Sequence, residues 1–154
     1  MSILEKLRRQ AVQNPRRVVL PEQGDPRVVE AARMLVAGKL AQPVFLAPAA
    51  ERVDGVEVLC ERSDYAPLLD NAAAALTAAR AKKGMTVEQA RDALKNPLML
   101  GATLLRMGVV DAGVAGSLAT TADVLRAGIQ ALGLAPGSSL VSSAFIMEFP
   151  ERVF

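Results

Sequence analysis

The chain has 154 residues, of which 51% are apolar and only 3% are aromatic, and its formal net charge is +2. This length and composition are typical of one folded domain with a core of small apolar side chains, and they exclude intrinsic disorder. Basic and acidic residues are interspersed in nearly equal numbers, so the sequence has no basic stripe for a nucleic-acid backbone, and we expect no nucleic-acid partner.

The first half of the chain alternates predicted helices with short apolar runs. Helices are predicted over residues 3–12, 26–37 and 66–83, and strands over residues 17–20, 43–47 and 55–60. Asp25 followed by Pro26 is a strong helix start, because it supplies a side-chain cap and a proline at the first helical position. Gly38 and Gly84 are the expected stops of the second and third helices.

The second half continues this alternation. Thr86 and Gln89 have capping-box spacing at the start of a short helix, and Asn96-Pro97 precedes a helix that is apolar nearly all round, which is typical of a buried helix. The remaining predicted elements are that helix (98–107), a strand (111–115), a helix (121–132) and a long β-leaning run (139–149). Strands that alternate with helices predict a mostly parallel sheet with helices on both faces, which is a three-layer α/β/α fold.

The cysteine content and the hydropathy of the sequence indicate the cellular compartment. Cys60 is the only cysteine and histidine is absent, so the sequence predicts neither an internal disulfide nor a metal site, and we expect Cys60 to be a packed strand residue. The N-terminal residues have an amphipathic pattern rather than that of a signal peptide, and no apolar stretch is long enough to span a membrane. We therefore expect a soluble, cytoplasmic protein with no membrane partner.

The most informative segment joins a predicted strand to the last predicted helix. The strand ends in Gly116-Ser117, two threonines open the helix, and an arginine follows within its first two turns. Open α/β sheets bind ligands at the carboxyl ends of their strands, and the N–H groups of a helix N-terminus attract anions. We predict that Ser117, Thr120 and Thr121 bind phosphate and that Arg126 clamps it with paired hydrogen bonds.

These residues also have a purely structural interpretation, in which they stabilise the helix and bind no ligand. Thr120 and Asp123 have the spacing of a capping box, and Arg126 is then a solvated helix residue. Arg80 is a second candidate, because it lies four residues after Leu76 at the edge of the apolar stripe and can point inward. Cations near a helix C-terminus also stabilise the helix dipole wherever they point, which gives Arg80 a structural alternative as well.

An ordered set of motifs resembles the phosphate acetyl/butyryltransferase family over essentially the whole chain. The motifs are Pro21-Glu22-x-x-Asp25-Pro26-Arg27-Val28, Ala41-Gln42-Pro43-Val44-Phe45-Leu46, Asn96-Pro97, Met107-Gly108-x-x-Asp111-Ala112-Gly113-Val114-Ala115-Gly116, Thr121-Ala122-Asp123-Val124-Leu125-Arg126, and Pro136-Gly137 with Ser139-Leu140-Val141-Ser142-Ser143-Ala144-Phe145-x-Met147. No single motif is unique, but their order is specific to the family.

The resemblance implies an α/β fold similar to that of isocitrate and isopropylmalate dehydrogenases, with two domains and an active site in the cleft between them. Residues 1–154 are then the first domain, the N-terminal half of the family's chain, with the C-terminal half absent. The implied activity moves an acetyl or short acyl group between acyl phosphate and coenzyme A, which is a co-substrate, and needs no further cofactor. The family's arginines that correspond to Arg126 and Arg80 take part in substrate binding and transfer, and its enzymes are commonly homodimers.

The chain departs from the family's pattern at two positions. Leu118 stands where many members have histidine, and Ala127 stands where proline follows the signature arginine. The family's Ser-Arg pair has no counterpart in this chain, so a non-catalytic anion-binding or assembly domain derived from the family is the alternative function. A generic nucleotide-binding domain is disfavoured, because the first predicted strand is followed by Pro21-Glu22-Gln23-Gly24 and not by Gly-x-Gly-x-x-Gly.

Overall fold

The computed structural model describes residues 2–144, 146–149 and 152–153, in which helices and strands alternate. The helices are α1 (Ile3–Gln13), α2 (Pro26–Ala37), α3 (Tyr65–Ala79), α4 (Val87–Ala93), α5 (Pro97–Arg106) and α6 (Thr121–Ala131). The strands are β1 (Arg16–Val19), β2 (Ala41–Phe45), β3 (Glu57–Val58), β4 (Ala112–Gly113), β5 (Glu148–Phe149) and β6 (Arg152–Val153). None of the described helices combines the length and the apolar character that crossing a bilayer requires.

Strands β1 to β4 form one parallel sheet in the order β3-β2-β1-β4. Val19 of β1 pairs in register with Val44 of β2. Because successive side chains of a strand point to opposite faces, Val19 and Val44 enter one core, while Leu20 and Phe45 enter the other. Short apolar runs in the sequence thus build two cores on one sheet.

Helices cover both faces of the sheet. The larger core takes fully buried side chains from α3, α5 and α6, including Leu76, Leu104 and Ala131. The smaller core lies under α2, where Val29 and Ala32 belong to the same cluster as Phe45 of β2. The predicted three-layer α/β/α fold with a parallel sheet is confirmed.

Capping residues set where helices begin, as the sequence predicts. Asp25 accepts a hydrogen bond from the Arg27 N–H at 2.9 Å, and Pro26 is the first residue of α2. Thr86 and Gln89 form the predicted capping box at the start of α4. These starts are encoded locally, so they are found without knowledge of tertiary contacts.

Helix α1 is fixed by local hydrogen bonds more than by packing. The Ser2 hydroxyl accepts from the Leu4 N–H at 3.1 Å, and the Ser2 N–H donates to the Glu5 carboxylate at 3.0 Å. No residue of α1 is buried, and the side chains of Leu4 and Leu7 are exposed. The apolar face of this amphipathic helix is therefore turned largely to solvent.

Three elements are shorter than predicted, and one of them is the strand predicted over 111–115, which is reduced to Ala112–Gly113. The strand predicted over 55–60 is reduced to Glu57–Val58, and Cys60 lies half-buried in the 3-10 turn that follows, not in a strand. The helix predicted over 66–83 leaves the α conformation after Ala79 and tightens into a 3-10 turn before Gly84 closes it at a φ of +68°. Helix ends commonly tighten in this way, because the last carbonyls have no partner further along the helix.

The strand predicted over 139–149 is wrong for most of its length. Residues 139–144 and 146–147 are in no strand, and only the end of the run pairs, as β5 with β6. A β-leaning sequence forms a strand only where a neighbouring strand takes its hydrogen bonds, and β5 has β6 alone beside it in the described part of the chain. Phe145, which belonged to the same prediction, lies outside the described residues.

Gly55 is a position where the fold requires glycine. Its φ is +79°, which is left-handed, and a Cβ there would lie 2.8 Å from Cγ1 of Val36 on α2. Gly84 is also left-handed, at +68°, but a Cβ there would meet nothing within 4 Å. Both glycines therefore adopt a backbone conformation that disfavours other residues, but only Gly84 has space for a Cβ atom.

We expect Gly55→Ala to lower the free energy of unfolding by about 2–4 kcal/mol, because left-handed strain of roughly 1–2 kcal/mol adds to overpacking against Val36. Gly84→Ala is the matched control and carries the strain alone, roughly 1–2 kcal/mol. Urea unfolding followed by circular dichroism measures both losses. Equal losses in the two variants would contradict the contribution assigned to Val36.

Candidate functional site

The candidate site lies at the carboxyl edge of the sheet, where the neighbouring strands β1 and β4 end. The first crevice loop (residues 20–25) leads from β1 to α2 on one face, and the second crevice loop (residues 114–120) leads from β4 to α6 on the other. Loops that leave adjacent parallel strands toward opposite faces form the crevice in which open α/β sheets bind ligands.

Glu22 of the first crevice loop binds the backbone of the second. Its carboxylate accepts four hydrogen bonds from consecutive N–H groups: Gly116 at 2.5 Å and Ser117 at 3.0 Å on Oε2, and Leu118 at 2.9 Å and Ala119 at 2.7 Å on Oε1. Consecutive N–H groups that converge in this way form a backbone nest for an anion. The N–H groups of this turn, which would otherwise attract phosphate, are therefore bound to a side chain of the protein.

The negative charge of Glu22 is stabilised inside the protein. Glu22 is only 8% exposed, and this burial by itself would raise the pKa of its carboxyl group. The four backbone N–H donors outweigh burial and lower that pKa from 4.5 to about 2, because hydrogen bonds to a carboxylate favour its ionised form. Glu22 is thus a carboxylate throughout the neutral pH range.

Gly116 opens the nest with a backbone conformation that suits glycine. Its φ is +107°, a region that residues with a Cβ rarely adopt. In this conformation the N–H groups of Gly116 and Ser117 both reach Oε2 of Glu22. The Gly116-Ser117 pair in the sequence therefore encodes the nest and not only the end of a strand.

A second carboxylate anchors an arginine at the same edge. Asp25 is buried, and Arg27 donates from Nε and Nη2 to its two carboxylate oxygens at distances between 2.6 and 3.1 Å. Nη2 of Arg27 also donates to the Ser117 carbonyl at 2.8 Å. The side chain of Arg27 is nevertheless 73% exposed, so it places a fixed positive charge beside the crevice.

The contact with Arg27 keeps Asp25 ionised. Hydrogen bonds from the guanidinium and the backbone N–H of Arg27 are the main causes that lower the pKa of Asp25 to about 2. The Ser117 hydroxyl contributes to the same shift, although its Oγ completes no hydrogen bond of good geometry. Two carboxylates that are ionised at neutral pH and one guanidinium therefore hold the second crevice loop.

The residues predicted to bind phosphate lie together around the start of α6. Ser117 belongs to the nest, Thr120 is the N-cap of α6, and Thr121 is its exposed first residue. Thr120 Oγ1 accepts from the Asp123 N–H at 3.2 Å and donates to the Asp123 carboxylate at 2.7 Å. The capping interaction is present in a modified form, because the Asp123 carboxylate binds the hydroxyl and not the N–H group of Thr120.

Arg126 lies on α6 and is paired with Asp123. Its Nη1 donates to Oδ1 of Asp123 at 2.8 Å, and its side chain is 63% exposed. The Thr120 hydroxyl is the main cause that lowers the pKa of Asp123, and Arg126 adds to this effect. Since a guanidinium has five N–H donors, the pair with Asp123 orients Arg126 and leaves donors for an anion.

Arg80 lies at the C-terminal cap of α3, where its N–H donates to the Leu76 carbonyl at 3.0 Å. The residue is half-buried, and its Nε is buried with no hydrogen-bond partner among the described residues. A buried donor without an acceptor costs roughly 1–3 kcal/mol, and an anionic ligand would remove that cost. Helix α3 contacts α6, the helix that carries Arg126.

Sequence reasoning missed three residues of the site: Glu22, Asp25 and Arg27. All three lie in the motif that follows the first strand, where Asp25 was recognised only as a helix cap. An acidic residue that follows an apolar strand within a few residues is a usable signal, because a carboxylate buried there needs donors. The donors themselves lie 94 to 97 residues further along the chain, and only the folded structure shows them.

A separate cleft of about 680 Å³ lies beside the first crevice loop, between α3, α4 and α5. Its wall is mostly apolar, and the ion pair of Arg91 and Asp70 (3.0 Å) lies at its edge. None of the predicted site residues lines it. In the described part of the chain, no group of three or more His, Cys, Asp or Glu side chains is arranged to hold a metal ion.

Comparison with known proteins shows that the chain is similar to phosphate acetyltransferases. The family model described as phosphate acetyl/butaryl transferase matches residues 2–154. A phosphate acetyltransferase of Acetivibrio thermocellus is 37% identical over 157 aligned residues, which cover 98% of this chain and 47% of that protein. The phosphate acetyltransferase of Escherichia coli is 39% identical over 90% of this chain, but only 20% of its own length is covered.

Solved structures agree with the sequence relatives. The EutD phosphotransacetylase from Staphylococcus aureus superposes with a TM-score of 0.81 at 26% identity, covering 98% of this chain and 48% of that one. A phosphotransacetylase from Streptococcus pyogenes gives a TM-score of 0.78 at 27% identity. The chain spans about half the length of these structures and of the Acetivibrio enzyme.

Glu22→Gln tests how much the nest contributes to stability. Because the pKa is lowered from 4.5 to about 2 in the folded state, ionised Glu22 stabilises the fold by roughly 3 kcal/mol. That contribution is fully present above pH 4.5 and is lost as the pH falls toward 2. We therefore expect the variant to be about 2–4 kcal/mol less stable near neutral pH, with a smaller difference near pH 3.

Urea unfolding of both proteins at the two pH values measures this difference. Glu30→Gln, which removes an exposed carboxylate of α2, is the matched control and should change stability by less than about 0.5 kcal/mol. A difference between wild type and Glu22→Gln that stays constant down to about pH 3 would contradict the low pKa of Glu22.

Proposed function

The chain belongs to the phosphate acetyl/butaryl transferase family, and from this we propose that the protein moves an acetyl or other short acyl group between acyl phosphate and coenzyme A. In this proposal the described chain supplies one wall of the active-site cleft. The observation that carries it is the family match over residues 2–154, since the crevice alone would suit many small anions.

The charges of the crevice support an anionic substrate bound by side chains. The backbone nest is occupied by Glu22, so positive charge at the crevice comes from guanidinium groups. Arg27 and Arg126 are both exposed, and each is oriented by a neighbouring carboxylate. Such preset cations suit the phosphate of acyl phosphate and the anionic groups of coenzyme A.

We assign the transfer step to Arg126 and Arg80. The thiolate of coenzyme A attacks the acyl carbon, a C–S bond forms, the C–O bond to phosphate breaks, and phosphate leaves with the electron pair. Negative charge develops on the carbonyl oxygen during the attack, and a fixed guanidinium lowers the energy of that state. We propose that the phosphate group lies at the start of α6, beside the side chains of Ser117, Thr120 and Thr121.

The alternative is a non-catalytic domain that binds anions or assembles with other proteins. Leu118 favours it, because this side chain is 67% exposed beside the nest and can neither donate nor accept a hydrogen bond. We also propose that the enzyme is a cytoplasmic homodimer, which is the form that the family resemblance implies, and light scattering of the purified protein tests the dimer.

A thiol assay separates the two functions. Sequencing the gene past the codon for Phe154 defines the complete protein, which is then incubated with coenzyme A and acetyl, propionyl or butyryl phosphate. We expect loss of free thiol with at least one of these acyl phosphates. A folded, complete protein that consumes no thiol with any of them would overturn the acyltransferase function and favour the binding domain.

In the complete protein, Arg126→Ala is expected to lower kcat by about 10²–10³-fold, because it removes a cation from the developing negative charge. The fold should be unchanged, since the exposed pair of Arg126 and Asp123 contributes little to stability. Arg52→Ala is the control, as it removes an arginine that is also exposed and is paired with Glu61. A near-normal kcat for Arg126→Ala would return Arg126 to the role of a solvated helix residue.

Arg80→Met separates the charge of Arg80 from its packing. Methionine keeps an unbranched apolar stem of similar length, so the variant should fold while losing the donor groups. We expect kcat to fall by about 10²-fold or more, whereas Lys82→Met in the following exposed turn should leave it unchanged. Unchanged turnover in a folded Arg80→Met variant, with a lowered thermal midpoint, would show that Arg80 only stabilises the C-terminal end of α3.

A further inference from the structure

We propose that Glu22 is a positioning residue for the acyl-transfer site: its carboxylate is a built-in anion that sets the second crevice loop, and through it the start of α6. The inference rests on the proposed function, because it assigns Glu22 a part in that reaction. It is carried by the four hydrogen bonds between Glu22 and consecutive backbone N–H groups.

The carboxylate of Glu22 has no hydrogen-bonding capacity left for a substrate. An ionised carboxylate has about four lone-pair positions, and Glu22 uses two hydrogen bonds on each oxygen for the loop. It is also buried, so its oxygens are shielded from a substrate in the crevice. Glu22 is therefore neither a general base nor a direct ligand of the substrate, and its effect on the reaction acts through the loop.

The second crevice loop is connected to Arg126 through the start of α6. The last N–H bound by Glu22 belongs to Ala119, directly before Thr120, the N-cap of α6. Thr120 binds Asp123 through two hydrogen bonds, and Asp123 binds Arg126. An unbroken series of hydrogen bonds and one peptide link thus runs from Glu22 to the guanidinium.

Arg27 holds the second crevice loop through a carbonyl group, in addition to the N–H groups that Glu22 binds. Arg27 donates to the Ser117 carbonyl at 2.8 Å while buried Asp25 fixes its guanidinium. Glu22 therefore binds the N–H groups of the loop, and Arg27 binds one of its carbonyl groups. Because the loop carries its own counter-ion, it keeps this conformation before any substrate phosphate arrives, which is the preorganisation that transition-state stabilisation requires.

The test compares Glu22→Gln and Glu22→Asp in the complete enzyme, at a temperature where circular dichroism shows each variant to be folded. Glutamine offers one acceptor oxygen and turns an NH₂ group toward N–H donors, whereas aspartate keeps the carboxylate on a shorter stem. We expect Glu22→Gln to lower kcat by about 10–100-fold with less than about a threefold change in either KM. Glu22→Asp should recover part of that loss, and the control Glu30→Gln should match wild type.

Two further readouts distinguish positioning from other roles. The ratio of wild-type kcat to Glu22→Gln kcat should be the same at every pH between about 5.5 and 8.5, because Glu22 stays ionised over that range. If wild-type kcat changes with pH and this pH dependence disappears in Glu22→Gln, Glu22 takes part in proton transfer, and the proposal is overturned. Amide exchange of residues 116–119 should be at least about tenfold faster in Glu22→Gln than in wild type. Unchanged exchange, or unchanged kcat in the folded variant, would also overturn it.

The proposed function fails separately from this inference. If wild type consumes no thiol, the acyltransferase assignment is lost, and with it the catalytic part of the positioning role. If wild type is active and Glu22→Gln is equally active, only the positioning role is lost.

Discussion

The structure around the crevice depends on one buried carboxylate that satisfies four backbone N–H groups. Glu22 joins two loops that leave the sheet toward opposite faces and that lie 94 to 97 residues apart in the sequence. Without an acceptor these four donors would have to face water, and the turn would not stay closed against the sheet. The closed turn follows from this contact, and we propose that the orientation of Arg126 at the start of α6 depends on it as well.

The contact also decides what kind of site the crevice is. A bare nest at the carboxyl edge of a parallel sheet would bind phosphate through the backbone, as glycine-rich loops do in nucleotide-binding folds. Here the nest already holds an anion, and the exposed cations are the side chains of Arg27 and Arg126. Side-chain cations can be supplied from either wall of a cleft, which suits a chain that spans about half the length of its relatives.

The sequence predicted the fold well because the signals involved are local. Asp25-Pro26 and the Thr86–Gln89 capping box place helix starts, and alternating apolar residues such as Val19 and Leu20 place the two faces of the sheet. The run over 139–149 was predicted wrongly, because β-propensity does not say whether a partner strand is present. The placement of Ser117, Thr120 and Thr121 near one another follows from their closeness in sequence, whereas the roles assigned to them and to both arginines stay predictions.

Glu22 shows the limit of such reasoning, since burial of its charge makes sense only with donors that no local pattern connects to it. Helix α1 illustrates the opposite case, in which a segment is specified almost wholly by its own residues: Ser2 and Glu5 close its first turn, while no side chain of the helix is buried. Because little tertiary packing stabilises it, we expect α1 to fray at a lower temperature than the sheet melts. A transition temperature measured for the sheet and its packed helices therefore gives no information on the melting of α1.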